Sequence, residues 1–331
     1  SDPVKCWSYS DDDVYFRFAA ADSNTIYVTT DKGGLIAVDA VSGTKLWSAE
    51  FGGEAVSNVG VVDSHVAIPT PPSSSAAVKN ATLRIVSKET GILVWKAELD
   101  GSGSIYLNGA SGVVTAAAST GEAAAFDSAS GDLKWKLTFA GGLTAVPKVS
   151  GPILLVATGD KRLAGVTLAG GESRFSIDLK RPAQVVLSEN DSVFLADDRG
   201  EILRLDTDEG SKAKWKYRAG AQIRGISELD GRLIVSSYDN FLYSIGESSG
   251  HVNWKVRLPG RVRGTAVLDD RRLLIFVENS KTATAVIAES GRIDSQIQLD
   301  NEPIAAGSGG GRVYILSPVS VSAYSAGICT K

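Results

Sequence analysis

The sequence predicts an all-β fold, and more specifically an eight-bladed β-propeller built from four-stranded antiparallel blades. Three observations favour it: a repeat of about 40 residues, short β-branched runs separated by Gly- and Asp-rich turns, and no convincing helical pattern. The period is marked by Trp7, Trp47, Trp95, Trp135, Trp215 and Trp254, with Phe175 and Ser295 in the two remaining slots. Successive spacings of 40, 48, 40, 40, 40, 39 and 41 residues keep this phase along the chain.

The first complete period shows how each blade is built. A β-branched and aromatic run over residues 26–30 is followed by an Asp-Lys-Gly-Gly turn and by a second apolar run over residues 35–38. A turn at residues 40–43 then leads into the segment that contains Trp47. Short runs divided by Gly and Asp are typical of β-hairpins. The second period is longer, and its extra Pro- and Ser-rich stretch, residues 69–77, predicts an extended loop.

The most regular part of each period is Ala-x-Asp-x-x-x-Gly-x-x-x-Trp, at residues 37–47 and 125–135. Ser87, Thr167 and Asp206 take the Asp slot in other periods, whereas Gly246 and Ile287 have lost the polar side chain. This segment resembles the tryptophan-docking motif of PQQ-like propellers, and the resemblance covers nearly the whole chain. It implies a structural role for Asp39, Gly43, Trp47, Gly91, Trp95, Asp127, Gly131, Trp135, Trp215, Trp254 and Trp7.

The chemistry of the motif accounts for its residue types. An oxygen in the Asp slot can accept hydrogen bonds from the following turn, and Gly allows a backbone conformation that a Cβ atom disfavours. A Trp on the outer strand can cover the next blade and bury roughly 150–250 Å², or about 4–6 kcal/mol as an upper bound. Ser295 forfeits this burial, so we expect the junction after blade 7 to be the weakest one inside the chain.

Both chain ends are predicted to contribute to the eighth blade. Seven periods are complete, and the tail supplies further strands but ends before a Trp. Trp7 lies 40 residues before Trp47 and is therefore in phase as the missing outer strand. We predict that residues 4–9 complete a blade formed by about residues 303–329, within one propeller domain spanning residues 1–331, because this closure removes exposed sheet edges.

The two cysteines lie near the two ends of the chain. Aligning the tail with the first period places Cys329 in the slot of Gly43 and Cys6 in the slot of Leu46, and these slots face each other across one hairpin. The alignment predicts a Cys6–Cys329 disulfide, whose loop of more than 300 residues would contribute about 5–6 kcal/mol in the chain-entropy model. A structural disulfide indicates an extracytoplasmic setting: periplasmic, secreted, in the cell envelope or lumenal.

Composition excludes several functions. The formal net charge of −4 gives no general attraction to nucleic acid, and no apolar run approaches the roughly 18 residues of a membrane span. The chain has no Met, so Ser1 is interpreted as a processed or engineered start, and we expect that an export signal or a membrane anchor preceded it. The expected protein is a monomer that does not itself insert into a membrane.

Catalytic chemistry has few candidate residues. The PQQ-like resemblance also points to quinoprotein dehydrogenases, which have inserted active-site segments, a Ca²⁺ ion and a vicinal Cys pair. Here nearly every period is a minimal 40 residues, and no two Cys are adjacent. His65 and His251 are the only histidines, which leaves little for a His-based metal site or a Ser-His-Asp triad. We predict no catalytic, cofactor-binding or metal-binding residue.

The connectors between blades carry the clearest functional signal, because their charges differ from blade to blade. Those entering blades 5, 6 and 7 hold Lys180, Arg181, Arg218, Arg224, Arg257, Arg261 and Arg263, whereas those around blades 8, 1 and 2 hold Asp11, Asp12, Asp13, Glu50, Glu54, Asp300 and Glu302. Ordinary surface charge is one interpretation. The other is a docking face for an acidic or mixed-charge protein partner, with Arg181, Arg218, Arg224, Arg261 and Arg263 as contacts.

Among PQQ-like propellers without catalytic segments, the chain resembles the scaffold lipoproteins of the bacterial outer-membrane β-barrel assembly machinery. It shares their eight short blades and docking motif, but it lacks a lipidation box and has a terminal Cys pair. The resemblance implies a non-catalytic, protein-binding scaffold. A PQQ-dependent dehydrogenase and a ligand-sensing ectodomain of a membrane protein are the alternatives. A titration with PQQ and Ca²⁺ tests the first, and the natural residues before Ser1 test the second.

Overall fold

The computed structural model describes residues 2–71, 81–189, 192–206 and 212–329. In this part of the chain the regular elements are β-strands, 32 in number, which form eight four-stranded antiparallel sheets. The prediction of an all-β, eight-bladed propeller is confirmed. Most of the long second-period loop falls in residues 72–80, which lie outside the described residues, as does Gly210. No helix of transmembrane length and hydropathy occurs in the described ranges.

The first four blades follow the chain from inner to outer strand. Blade 1 contains β2 (Phe16–Ala21), β3 (Thr25–Thr30), β4 (Gly34–Asp39) and β5 (Lys45–Glu50). Blade 2 contains β6 (Gly60–Val62), β7 (His65–Thr70), β8 (Ala81–Ser87) and β9 (Leu93–Leu99). Blade 3 contains β10 (Ile105–Ala110), β11 (Val113–Ala118), β12 (Glu122–Asp127) and β13 (Leu133–Thr138). Blade 4 contains β14 (Lys148–Ser150), β15 (Ile153–Thr158), β16 (Arg162–Thr167) and β17 (Ser173–Asp178).

The other four blades keep this order, and the last one takes its outer strand from the N-terminus. Blade 5 contains β18 (Ala183–Glu189), β19 (Ser192–Asp197), β20 (Glu201–Asp206) and β21 (Trp215–Arg218). Blade 6 contains β22 (Ile223–Leu229), β23 (Arg232–Ser237), β24 (Phe241–Gly246) and β25 (Val252–Arg257). Blade 7 contains β26 (Val262–Asp269), β27 (Arg272–Val277), β28 (Thr282–Ile287) and β29 (Ile293–Gln298). Blade 8 contains β30 (Ala305–Gly309), β31 (Arg312–Leu316), β32 (Val321–Ser325) and β1 (Val4–Tyr9).

The burial of each strand follows its place in the blade. The second and third strands, such as β3 and β4, are buried along nearly their whole length, because strands covered on both faces need apolar side chains on both. The outer strand β5 alternates between exposed and half-buried residues. Its register shifts between Ala37 and Val38, immediately before Trp47. A β-bulge of this kind changes the direction of the following side chain.

The hydrophobic core is distributed between neighbouring sheets. The chain divides into two compact units, one of residues Ser1–Glu54 and Leu229–Lys331, and one of residues Ala55–Glu228. In the first unit, one buried cluster joins Phe16 of blade 1 to Tyr314 of blade 8, and two others join blades 6 to 7 and 7 to 8. In the second unit, the clusters join blades 2 to 3, 3 to 4 and 4 to 5. The single domain stays a prediction.

The N-terminal strand completes blade 8 as predicted. β1 pairs antiparallel with β32, and the Oγ atoms of Ser8 and Ser322 lie 2.9 Å apart. Nζ of Lys5 donates to a carboxylate oxygen of Asp300 at 2.6 Å. The predicted Cys6–Cys329 disulfide is present, with Cα atoms 5.4 Å apart. The last blade is therefore held by backbone pairing, side-chain contacts and one covalent bond.

Candidate functional site

The turn between the third and fourth strands is organised by its polar side chain. The Asp39 carboxylate accepts hydrogen bonds from the backbone N–H groups of Ser42 at 2.7 Å and Val41 at 3.0 Å. The Ser42 hydroxyl donates to the same oxygen at 2.8 Å. These hydrogen bonds, above all those from Ser42, hold the pKa of Asp39 below its ordinary value. The Asp slot therefore stabilises the turn that presents Gly43.

The turn survives where the polar side chain is lost. Blades 6 and 7 have Gly246 and Ile287 in the Asp slot, yet the N–H of Gly250 still donates to the Gly246 carbonyl at 2.9 Å. The N–H of Gly291 donates to the Ile287 carbonyl at 2.8 Å in the same way. Backbone hydrogen bonding and a glycine with positive φ, 72° at Gly291, are thus the common features of the turn.

Each docking indole that can be followed within one unit contacts the next blade in the same manner. The acceptor is the carbonyl of the first residue after the third strand. The Nε1 donors and their acceptors are Trp7 to Ala40 at 3.3 Å, Trp95 to Ser128 at 3.0 Å, Trp135 to Leu168 at 2.8 Å and Trp254 to Ala288 at 2.9 Å. The indole also lies against the turn glycine. A Cβ atom at Gly131 would be 2.7 Å from Trp95, so glycine is required for this contact.

Blade 7 uses a different donor. Ser295 stands in the Trp slot, and the carbonyl of Ala326, which is equivalent to that of Ala40, accepts a hydrogen bond at 3.3 Å from Nη2 of Arg272. Asp269 and Asp294 hold the guanidinium with contacts of 2.8 Å and 3.3 Å. The sequence pattern did not identify this role of Arg272, because the residue lies outside the motif.

Arg312 occupies the same position in blade 8 as Arg272 does in blade 7, at the start of the second strand. Its Nη1 donates to the Ala40 carbonyl at 3.0 Å, and the Tyr314 hydroxyl donates to that oxygen at 3.2 Å. Trp7 donates to it as well. An arginine and an indole can therefore serve one carbonyl together.

The candidate docking residues of the second unit differ in their surroundings. Nη1 of Arg181 donates to the Asp197 carboxylate at 3.0 Å. Burial alone would raise the pKa of Asp197, but hydrogen bonds from Arg181 and from backbone N–H groups outweigh it, and the pKa lies below its ordinary value. Arg181 also lines a cavity of about 260 Å³ between blades 4 and 5. Arg218 and Arg224 are exposed.

In the first unit, the two candidates are also engaged locally. The Arg261 guanidinium lies 5.5 Å from the centroid of the Tyr238 ring, a cation–π contact. Nη2 of Arg263 donates to Glu302 at 3.3 Å. Because Glu302 belongs to the acidic connectors, this pair joins the two charge sets that the sequence separates. Arg261 is exposed and Arg263 is half-buried.

The acidic connectors of the first unit surround a cavity of about 450 Å³. Asp11, Asp12, Asp13 and Asp300 line it, together with hydroxyl groups such as Ser8 and Ser320. Asp300 is already paired with Lys5. In the described ranges of the chain, no group of three or more His, Cys, Asp or Glu side chains is placed to hold a metal ion.

Comparison with known proteins places this architecture in a family. A family model described as outer membrane protein assembly factor BamB matches residues 12–217 and 214–327. The chain belongs to this family. A relative from Nitrosomonas eutropha, named outer membrane protein assembly factor BamB, is 26% identical over 180 residues, which is 52% of this chain. The chain spans only 43% of the length of that relative.

Solved structures share the fold of this BamB-family chain. The crystal structure of BamB from Moraxella catarrhalis matches with a TM-score of 0.78 over 98% of both chains, at 15% identity. The computationally designed Ika8 protein matches with a TM-score of 0.76 at 14% identity, over 94% of this chain and 96% of its own. At these identities the likeness shows the fold alone.

One further cavity of the family member was not predicted from its sequence. It measures about 540 Å³ and lies in the first unit, between the inner strands β2 and β30. Its walls are small residues such as Ala19, Ala20 and Gly307, and its floor includes Tyr314 and Leu316. The Ala- and Gly-rich composition of the two inner strands is the sequence signal that could have indicated it.

Proposed function

We propose that the chain is a non-catalytic, extracytoplasmic scaffold that binds proteins of an outer-membrane protein assembly machinery. The observation that carries this proposal is the family match, which extends over nearly the whole propeller. The disulfide between Cys6 and Cys329 supports the extracytoplasmic setting, because such bonds persist in oxidising compartments. We further propose that the scaffold acts as a monomer.

The proposed contacts lie on the connector ends of the blades, where an outer strand leads into the next inner strand. Arginine suits this role because its planar guanidinium binds carboxylates in two contacts and stacks on aromatic rings. In the second unit, Arg218 and Arg224 are the exposed candidates. In the first unit, the stacking of Arg261 on Tyr238 holds its guanidinium near the surface, which lowers the entropic cost of binding.

The second unit is tested by neutralising two of its connector arginines. Cells of the natural source would express Arg218→Gln/Arg224→Gln, and the assembly proteins that co-purify from envelope membranes would be quantified by mass spectrometry. We expect several-fold lower recovery. The matched control is Lys134→Gln/Arg174→Gln, which removes the same charge from the motif-turn ends of blades 3 and 4. Equal recovery with both double variants would remove this surface from the proposal.

The first unit is tested separately with Arg261→Gln and its control Lys45→Gln, an exposed residue at the motif-turn end of blade 1. We expect only Arg261→Gln to lower recovery. The enzyme alternative is tested with the purified chain, PQQ and Ca²⁺. Tight binding together with oxidation of an alcohol coupled to dye reduction would overturn the scaffold function.

A further inference from the structure

The slot of Cys329 in blade 8 is held by glycine in blades 1, 6 and 7 of the same compact unit. A Cβ atom at Gly43 would lie 2.5 Å from Cδ2 of Trp7, and one at Gly291 would lie 2.6 Å from Cε3 of Trp254. Atoms in a close-packed interior do not approach so closely. A side chain in this slot and an indole from the preceding blade therefore exclude each other.

Blade 7 has Ser295 where an indole would stand, and this substitution makes room for a side chain in blade 8. The two departures from the repeat are coupled, because Ser295 admits Cys329 and Cys329 reaches Cys6. Ser295 thus removes one contact between the blades while permitting a covalent bond beside it.

Cys6 is itself placed by the repeat. It is the bulge residue of β1, since the register passes from Lys5 opposite Tyr324 to Trp7 opposite Ala323. In blade 1 the equivalent Leu46 is joined to the turn glycine through continuous backbone. In blade 8 this hairpin is interrupted, because its third and fourth strands come from opposite ends of the chain. The disulfide replaces the missing covalent connection.

Noncovalent contacts hold the two sides of this connection unequally. β1 is held by pairing with β32, by the indole of Trp7 on blade 1 and by the ion pair between Lys5 and Asp300. The segment after β32 is anchored through Ala326 by the hydrogen bond from Arg272, and Ile328 is 89% exposed. Little apolar surface is therefore buried at this end, so the disulfide is its main tie.

We propose that the Cys6–Cys329 disulfide is a redox latch, which secures the outer part of blade 8 where other junctions use an indole. Completion of this blade then depends on an oxidising compartment. When the latch forms, the two thiols lose two protons and two electrons to a disulfide oxidant, which leaves as a dithiol. A dithiol reductant reverses the exchange and closes to its own disulfide. The latch does not depend on the docking function.

Hydrogen–deuterium exchange on the full chain tests the latch without any mutation. Exchange would be compared before and after reduction with dithiothreitol. We expect amides of residues 4–9 and 321–329 to exchange at least ten-fold faster after reduction, while residues 133–138 of blade 3 keep their rates. Unchanged rates in blade 8, or an equal increase in both blades, would overturn the proposal.

Variants that restore the repeat test the coupling between the three positions. Cys6→Leu/Cys329→Gly should exchange like the reduced protein under all conditions. Adding Ser295→Trp to these two changes should return blade 8 to the slow exchange of the oxidised protein and make it insensitive to dithiothreitol. The indole has precedent beside an arginine, because Trp7 and Arg312 share the Ala40 carbonyl.

The single variant Ser295→Trp is the negative control. With Cys329 in place, the new indole has no glycine to lie on, so blade 8 should exchange faster than in the oxidised protein. Two outcomes count against the coupling: a triple variant that exchanges like the double variant, and a single variant that leaves exchange unchanged. If the variants fail to fold, the reduction experiment still decides the proposal.

Discussion

Two neighbouring junctions of the same compact unit solve one problem differently. Between blades 6 and 7, the indole of Trp254 is buried, donates to Ala288 and lies on Gly291. Between blades 7 and 8, the guanidinium of Arg272 donates to the equivalent carbonyl of Ala326. The acceptor is retained while the donor changes, which shows that the backbone carbonyl is the constant part of a blade junction.

The two donors stabilise their junctions by different physics. The indole contributes mainly by apolar burial, which depends little on orientation. Arg272 contributes directional, charge-assisted hydrogen bonds, and it needs Asp269 and Asp294 to hold it. Burial alone would raise the pKa of Asp269, but the hydrogen bond from Arg272 outweighs it and the pKa lies below its ordinary value. The second junction therefore depends on ionisation, whereas the first does not.

Removing the indole should give the largest effect. Trp254→Ala leaves a cavity against Gly291, and we expect a loss of about 3–5 kcal/mol of unfolding free energy. The measurement is urea denaturation followed by circular dichroism. The control is Ile293→Ala on the next outer strand, where the side chain is 43% exposed and we expect a loss of less than about 0.5–1 kcal/mol. Equal losses would contradict the view that the indole contact dominates.

Removing the guanidinium should cost less. Arg272→Met keeps much of the aliphatic volume but loses the hydrogen bonds to Asp269 and Ala326, so we expect a loss of about 1.5–3 kcal/mol. Arg257→Met, at an exposed arginine of β25, serves as the control and should change the free energy by less than about 0.5 kcal/mol. A loss as large as that of Trp254→Ala would mean that the two donors are equivalent.

A methyl group on the turn separates backbone strain from the indole contact. Gly291 and Gly311 have nearly the same φ, 72° and 71°, but a Cβ atom would meet Trp254 at Gly291 and open space at Gly311. Gly311→Ala should cost about 1 kcal/mol through backbone strain. Gly291→Ala should cost about 1–3 kcal/mol more, because the methyl group overlaps the indole. Equal costs, measured by thermal denaturation, would show that the indole moves aside freely.

Acid should weaken the arginine junction selectively, and this is the smallest expected effect. Because the pKa of Asp269 is lowered in the folded state, its contribution is present above the ordinary carboxyl pKa and is lost as the pH falls through the lowered value. Amide exchange around Ala326 should therefore rise between about pH 4 and pH 2, and Asp269→Asn should flatten this rise. A rise of the same size around Ala288 would show that acid acts on both junctions alike.

Several features were predictable because they repeat. The Trp slots, the turn glycines and the phase of Trp7 recur every 40 residues or so, and periodicity locates each blade without knowledge of its contacts. The pairing of Cys6 with Cys329 follows from the same alignment. Arg272 was not predictable in this way, since it lies 54 residues from its acceptor Ala326 and carries no periodic signal. The docking face stays a prediction.

The sequence by itself determined the number of blades, the order of their strands and the use of both chain ends in the last blade. These features follow from short-range turn chemistry and from the period of apolar residues, both of which are local. Only the tertiary structure decided which charges are engaged, such as Arg181 with Asp197 and Arg263 with Glu302. It also decided which donor serves the Ala326 carbonyl. Ion pairs join residues that are distant in sequence, and a charged side chain selects its partner only when folding has brought the candidates together and removed water around them.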